Sequence, residues 1–78
     1  MEQEGRGILA ERLEQVKREK QVSNIDIAAG TGIHKTTIAS YIRGESLPIA
    51  KHLIALCRYF DISADWLLGL HNFRRLKK

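Results

Sequence analysis

The chain of 78 residues carries three histidines, one cysteine and nine carboxylates, the side chains from which hydrolytic, redox or metal chemistry is ordinarily assembled. Their spacing argues against each use. His52 and Cys57 are five apart in a helical stretch, so they diverge around the axis, and no further His, Cys or carboxylate stands at ligand spacing. No Ser-His-Asp or Cys-His arrangement, P-loop or GxGxxG run can be assembled. The expectation is therefore a protein that is not an enzyme, with no metal, no cofactor and no small-molecule ligand evident. What remains is a polar group of another kind, Lys35, Thr36 and Ser40 in one short helical stretch. By spacing alone, two hydroxyls and a lysine suit an ordinary solvated helix face as well as a contact surface.

Charge narrows the choice of partner. The formal net charge is +4, but residues 1–34 hold five Lys and Arg against six Asp and Glu, while residues 35–78 hold eight against three. An anionic partner is thus expected to dock on the second part. Hydrophobic residues at 44% and charged residues at 28% are ordinary for a folded chain, and the length suffices for one domain. The longest apolar run, Leu53 to Cys57, is far short of a membrane span, and Met1-Glu2-Gln3-Glu4 is acidic where a signal peptide is basic. A soluble, cytoplasmic protein with no membrane contact is expected.

The elements that must position Lys35, Thr36 and Ser40 are all helical. Leu9, Leu13 and Val16 form one stripe opposite Glu11, Arg12, Glu14, Gln15, Lys17 and Arg18, which predicts a first helix over about 7–20. Ser23-Asn24-Ile25-Asp26 reads as a capping box opening a second helix with Ile27, Ala28 and Thr31 on one side, stopped by Gly30 and Gly32. A very short connection, Ile33-His34, leads into a third helix from Lys35 to Ile42 with Ile38, Tyr41 and Ile42 inward, ended by Arg43-Gly44. After a loop with Pro48, the recurrence of Ala50, Leu53, Leu56, Cys57 and Phe60 predicts a fourth helix. Ser63 opens a short fifth carrying Trp66, Leu67 and Leu68, closed by Gly69. Short helices with short turns bury their stripes only against one another, so the fold class is an all-α, compact five-helix domain. Between the second and third helices the turn is too short for an antiparallel hairpin. That is helix-turn-helix geometry, which holds an exposed helix outward at a size the B-DNA major groove admits.

From Leu9 to Gly69 the chain resembles the lambda-repressor-like, or xenobiotic-response-element (XRE), helix-turn-helix family. The resemblance is carried by Ile27-Ala28, Gly32-Ile33, Thr37-Ile38, Tyr41, Arg43-Gly44-Glu45, Leu47-Pro48, the Leu53 to Phe60 stretch and Ile62-Ser63-Ala64-Asp65-Trp66-Leu67-Leu68-Gly69. It implies that Ala28 sits where two helices cross closely, that Gly32 takes a left-handed turn position, and that Ile33 and Ile38 seal the pair from beneath. It places Lys35, Thr36 and Ser40 on the groove face, reading base edges. Thr37 would lie nearer the DNA backbone, Asn24 and Arg43 would meet phosphates, with Lys51 a further phosphate contact, and His34 would either touch a phosphate or simply start the helix.

Three positions depart from the family pattern. Lys17 stands where relatives pair an Arg with an acidic residue, here Ile42, so it is expected to run its stem past Ile42 with the ammonium in water. Thr31 replaces a large apolar residue, which predicts a less tightly seated second helix. Ile49 replaces a capping Ser or Thr, leaving Pro48 as an N1-type start with no side-chain cap.

The resemblance implies a sequence-specific DNA-binding transcriptional regulator, a repressor bound to a palindromic operator as a homodimer. The expected organisation is a flexible N-terminus at 1–6, a helix-turn-helix domain at 7–69 and a basic tail at 70–78. Dimer contacts are expected from Trp66, Leu70, Phe73 and Leu76, although the tail could equally be a short helix, a phosphate clamp or a frayed end. The competing class is a protein-interaction module, an antitoxin or anti-regulator using the same fold to grip another protein. The lack of an acidic residue from His34 to Ile42 favours DNA.

Overall fold

The computed structural model describes residues 2–72 and 74, with side chains from residue 7 onward. Among them the backbone forms α1 (Glu2–Lys20), α2 (Asn24–Thr31), α3 (Lys35–Ile42), α4 (Ala50–Phe60) and α5 (Ala64–Leu67). The stripe on α1 is the reason that helix packs: Leu9 and Leu13 are fully buried and Val16 nearly so, against α3 and α5. Ile27 on α2, Ile38 and Tyr41 on α3, Leu56 and Phe60 on α4, and Trp66 and Leu67 on α5 complete one core, with Ile33 and Ile62 plugging it from the connections. The helix begins at Glu2 instead of near 7, because once a packed stripe has nucleated a helix, each added residue costs little.

The helix ends follow from local chemistry. Ser23 accepts from the Asp26 amide at 3.1 Å and the Asp26 carboxylate accepts from the Ser23 amide at 2.9 Å, the reciprocal capping box read from the sequence. Ser63 caps α5 by accepting from the Trp66 amide at 3.0 Å. At the C-terminus of α1, the Val22 amide reaches the Lys17 carbonyl and the Gln21 amide the Arg18 carbonyl. This Schellman closure puts Gln21 at φ 58, a left-handed position held by a residue other than glycine.

Two expectations about ends need correction. Gly30 does not stop α2; it lies inside the helix, where a Cβ would come within 2.6 Å of Tyr59 Cδ1 and closer still to Cε1. Its role is to let α2 approach α4, and Gly32, at φ 79 with its amide on the Ala28 carbonyl, makes the stop. Pro48 is not the first helical residue. Ile49 is the N-cap, and it has no side-chain cap bond, so the uncapped start holds but the helix begins two residues later, at Ala50. The Ile49 amide donates instead to the buried Tyr41 hydroxyl.

Candidate nucleic-acid interface

What aims α3 outward is set by four residues, Thr31 at the end of α2 and Gly32, Ile33 and His34 between the two helices. Gly32 takes the left-handed turn conformation that an L-residue resists, and Ile33, 2% exposed, drops into the core and anchors the turn. Thr31 does more than occupy the end of α2. Its hydroxyl donates to the Ile27 carbonyl at 2.7 Å and accepts from the Ile33 amide at 3.2 Å, so it ties the turn where a large apolar side chain would only fill space. The polar substitution is thus compensated by two hydrogen bonds.

His34 is the N-cap of α3. Its Nδ1 accepts from the Thr36 amide at 3.2 Å and lies 2.8 Å from the Thr36 hydroxyl, which assigns the ring proton to Nε2. From that cap Lys35 and Thr36 are exposed at the head of the helix, and Ser40 follows Thr36 one turn later, half-buried. Thr37 is also half-buried, while Ile38 and Tyr41 face the core. The α3 surface therefore offers an ammonium and two hydroxyls in a patch with no carboxylate on its own helix.

The loop after α3 is fixed to it. Glu45 donates its amide to the Ser40 carbonyl at 3.0 Å and Gly44 to the Tyr41 carbonyl at 3.1 Å, closing the helix. Ser40 Oγ and Ser46 Oγ are 2.8 Å apart. Tyr41 Oη meets His52 Nδ1 at 2.7 Å, joining α3 to α4, and burial pushes the Tyr41 phenol above its ordinary value. Arg43 is exposed but not free: Nε and Nη2 donate to the two Glu45 carboxylate oxygens at 2.7 and 2.9 Å. That fork raises the Arg43 guanidinium and holds the Glu45 carboxyl below the usual carboxylate range, each through its hydrogen bonds to the other.

The remaining expected contacts are dispersed. Asn24 heads α2, half-buried, with Oδ1 buried and without a hydrogen-bond partner among the described residues. Lys51 is exposed in an open groove between α2 and α4, beside Gly30, Ile54, Arg58 and Tyr59, and not in the α3 loop. Lys17 is half-buried, as is Ile42, and Lys17 makes no ion pair among the described residues. Trp66 is 5% exposed, beneath Arg12 and Arg74, whose guanidinium carbons lie 4.8 and 5.1 Å from its ring centre, whereas Leu70 is 72% exposed. Phe73 and Leu76 lie outside the described residues.

Several residues of this region escaped the sequence reading. Glu45 could have been found, since a carboxylate two residues after Arg43 in a tight loop is within reach of its fork. Ser46, the Tyr41 to His52 bond and the Gly30 to Tyr59 approach left no periodic signal, because each joins separate elements. The short strap from Gly69 to Asn72, with Arg74, is also new: Arg12 donates to the Trp66 carbonyl and, at 3.3 Å, to the His71 carbonyl. Arg74 donates to Glu19, whose carboxyl is held low chiefly by that bond.

Among the described residues no three His, Cys, Asp or Glu gather in a way that could hold a metal, and no helix is long and apolar enough to cross a membrane. No curated protein and no solved structure gives a match to the chain. A family model described as helix-turn-helix matches residues 10–67, which takes in α1 from residue 10 onward, the whole of α2 to α5 and the turn from Thr31 to His34. The chain therefore belongs to the lambda-repressor-like, XRE-type helix-turn-helix family of DNA-binding transcriptional regulators.

Proposed function

We propose that this protein is a cytoplasmic, sequence-specific repressor that binds a palindromic operator as a homodimer. The observation that carries the reading is the α3 surface: an exposed helix N-terminus bearing Lys35, Thr36 and Ser40, with no acidic residue from His34 to Ile42, held outward by the Gly32 turn. Lys35, Thr36 and Ser40 read base edges in the major groove, and Asn24, His34, Thr37, Arg43 and Lys51 meet the backbone. The buried, unpartnered Oδ1 of Asn24 leaves the amide group of that residue as the end able to face a phosphate. One such contact set is small for tight discrimination, so pairing two half-sites supplies the rest. Leu70 is the exposed apolar anchor for that pairing, with Phe73 and Leu76 beyond it and Trp66 supporting the surface from below.

Selection of bound fragments from random duplex tests this directly. A reproducible palindrome is the expected result, and recovery of no preferred sequence refutes it. Truncation after Gly69 tests the tail, since unchanged sedimentation and operator affinity would remove it from the interface. Exposed Leu47 and Ile49, in the loop beside α3, favour a second reading in which this face grips a protein. A partner retained from the source cell after nuclease digestion would support that reading over the first.

A further inference from the structure

We propose that Ser46, a loop residue outside the recognition helix, is a specificity-determining positioning residue that sets what the Ser40 hydroxyl offers to DNA; this rests on the reading of α3 as the base-reading helix. A serine within a helix has a default partner, the carbonyl four residues back, here that of Thr36, and a hydroxyl so bonded is turned along its own helix. Ser40 does not take it. Its Oγ lies 2.8 Å from Ser46 Oγ, across the loop, and the residue is half-buried at the end of the exposed stripe that begins at Thr36.

The loop is built so that Ser46 arrives there. On one side Gly44 at φ 76 reverses the chain, the Glu45 amide bonds the Ser40 carbonyl, and the Arg43 to Glu45 fork clasps the turn. On the other side the Ile49 amide and His52 Nδ1 both meet Tyr41 Oη. Ser46 is thus pinned from both directions to α3 itself, and its distance from Ser40 moves with the helix as one body.

The chemical consequence is a choice of polarity. A hydroxyl has one proton and two lone pairs, and in a pair of hydroxyls one donates and the other accepts. When Ser46 donates, the Ser40 proton is free for an acceptor such as guanine N7 or O6, adenine N7 or thymine O4. When Ser40 donates to Ser46, only lone pairs remain to meet the amino group of adenine or cytosine. Ser46 therefore acts through Ser40 on one base position without touching the base.

The test uses the full chain and five proteins: wild type, Ser40→Ala, Ser46→Ala, the double variant of these two, and Ser46→Thr. Affinities are measured on the selected duplex and on its three single-base variants at the position where Ser40→Ala changes preference. Ser46→Ala is expected to flatten preference at that same position, with a loss at the best base on the order of 3- to 10-fold. The double variant should be no worse than Ser40→Ala alone, because the two act as a unit. Ser46→Thr, which keeps the hydroxyl, should restore the preference, and the melting midpoint of Ser46→Ala should stay near that of wild type. The proposal is overturned if Ser46→Ala weakens all four duplexes equally, which makes Ser46 a backbone contact or a structural residue, or if it changes none of them. A wild-type protein that selects no sequence refutes the underlying DNA reading, and this inference with it, before any variant is made.

Discussion

Arg43 is paired before DNA arrives, and removing its partner should make the protein bind DNA more tightly. Both groups of the pair are more than half exposed, yet the fork occupies the guanidinium donors that a phosphate would otherwise take. Glu45→Gln keeps the shape of the side chain, removes one negative charge from the DNA-facing loop and frees Arg43 for a phosphate. In the wild type the Arg43 phosphate contact must displace Glu45 and leaves its charge beside the DNA; in the variant the contact counts in full, which steepens the dependence of log affinity on log salt by up to about 0.9. If the contact fades near 1 M salt, that full slope corresponds to about eightfold tighter binding at 0.1 M, and to about 3.5-fold more affinity lost between 50 and 200 mM salt. The gain should be the same on operator and on scrambled duplex, because phosphates carry no sequence. Fluorescence anisotropy on both duplexes across a salt series measures it. The sign of the pH effect follows from Glu45, whose carboxyl is held below its ordinary value by Arg43. The pair is present above the ordinary carboxylate pKa and is lost only as pH falls through the lowered one, so mild acid should not reproduce the variant. Equal or weaker binding by Glu45→Gln would refute the reasoning and show that the carboxylate steers Arg43 towards DNA.

Other outcomes follow from packing. Gly30→Ala should lower stability by about 1 kcal/mol, since overpacking against Tyr59 costs roughly 1–3 kcal/mol and outweighs the ~0.5–1 kcal/mol gained by replacing a helical glycine. In a Tyr59→Ala background the same change should stabilise, as denaturant melts of the four proteins would show. Thr31→Val should cost about 1–2 kcal/mol, because it leaves the Ile33 amide and the Ile27 carbonyl without the hydroxyl that joins them. Burial pushes the Cys57 thiol up to about 11, so a thiol reagent at pH 8 should label it only in denaturant. Arg74→Ala should shift the fluorescence of the only tryptophan to the red, by uncovering one side of the Trp66 ring; an unchanged spectrum would show that Arg12 alone shields it.

The helices were legible because each writes its own period and its own caps. Leu9, Leu13 and Val16 repeat at helical spacing, and Ser23 and Asp26 name a helix start within four residues. The turn was legible through the family resemblance, which implied a left-handed Gly32 and an Ile33 covered beneath the helices, and both are so. Contacts between elements were not. Nothing in the order of residues says that Gly30 faces Tyr59, that Thr31 bridges the turn, or that Ser46 lies beside Ser40, because these distances are set by how helices cross and how the loop returns. The polar face of α3 could be named from the sequence, but the hydrogen bonds that already occupy Thr36, Ser40 and Arg43 could not, and they decide what that face has left to offer.

The packing of α1 has a consequence for how the protein is made. Leu9, Leu13 and Val16 leave the ribosome before α3 and α5, the helices that cover them, and Arg12 before the carbonyls of Trp66 and His71 that hold it. During translation α1 therefore emerges with its apolar stripe bare and stays so until α5 has cleared the exit tunnel. The middle of the chain, α2 with α3 and then α4, has its partners at hand much earlier. Completion of the core waits on α5, so a chain stalled or cleaved before it presents an exposed helical stripe to chaperones and proteases.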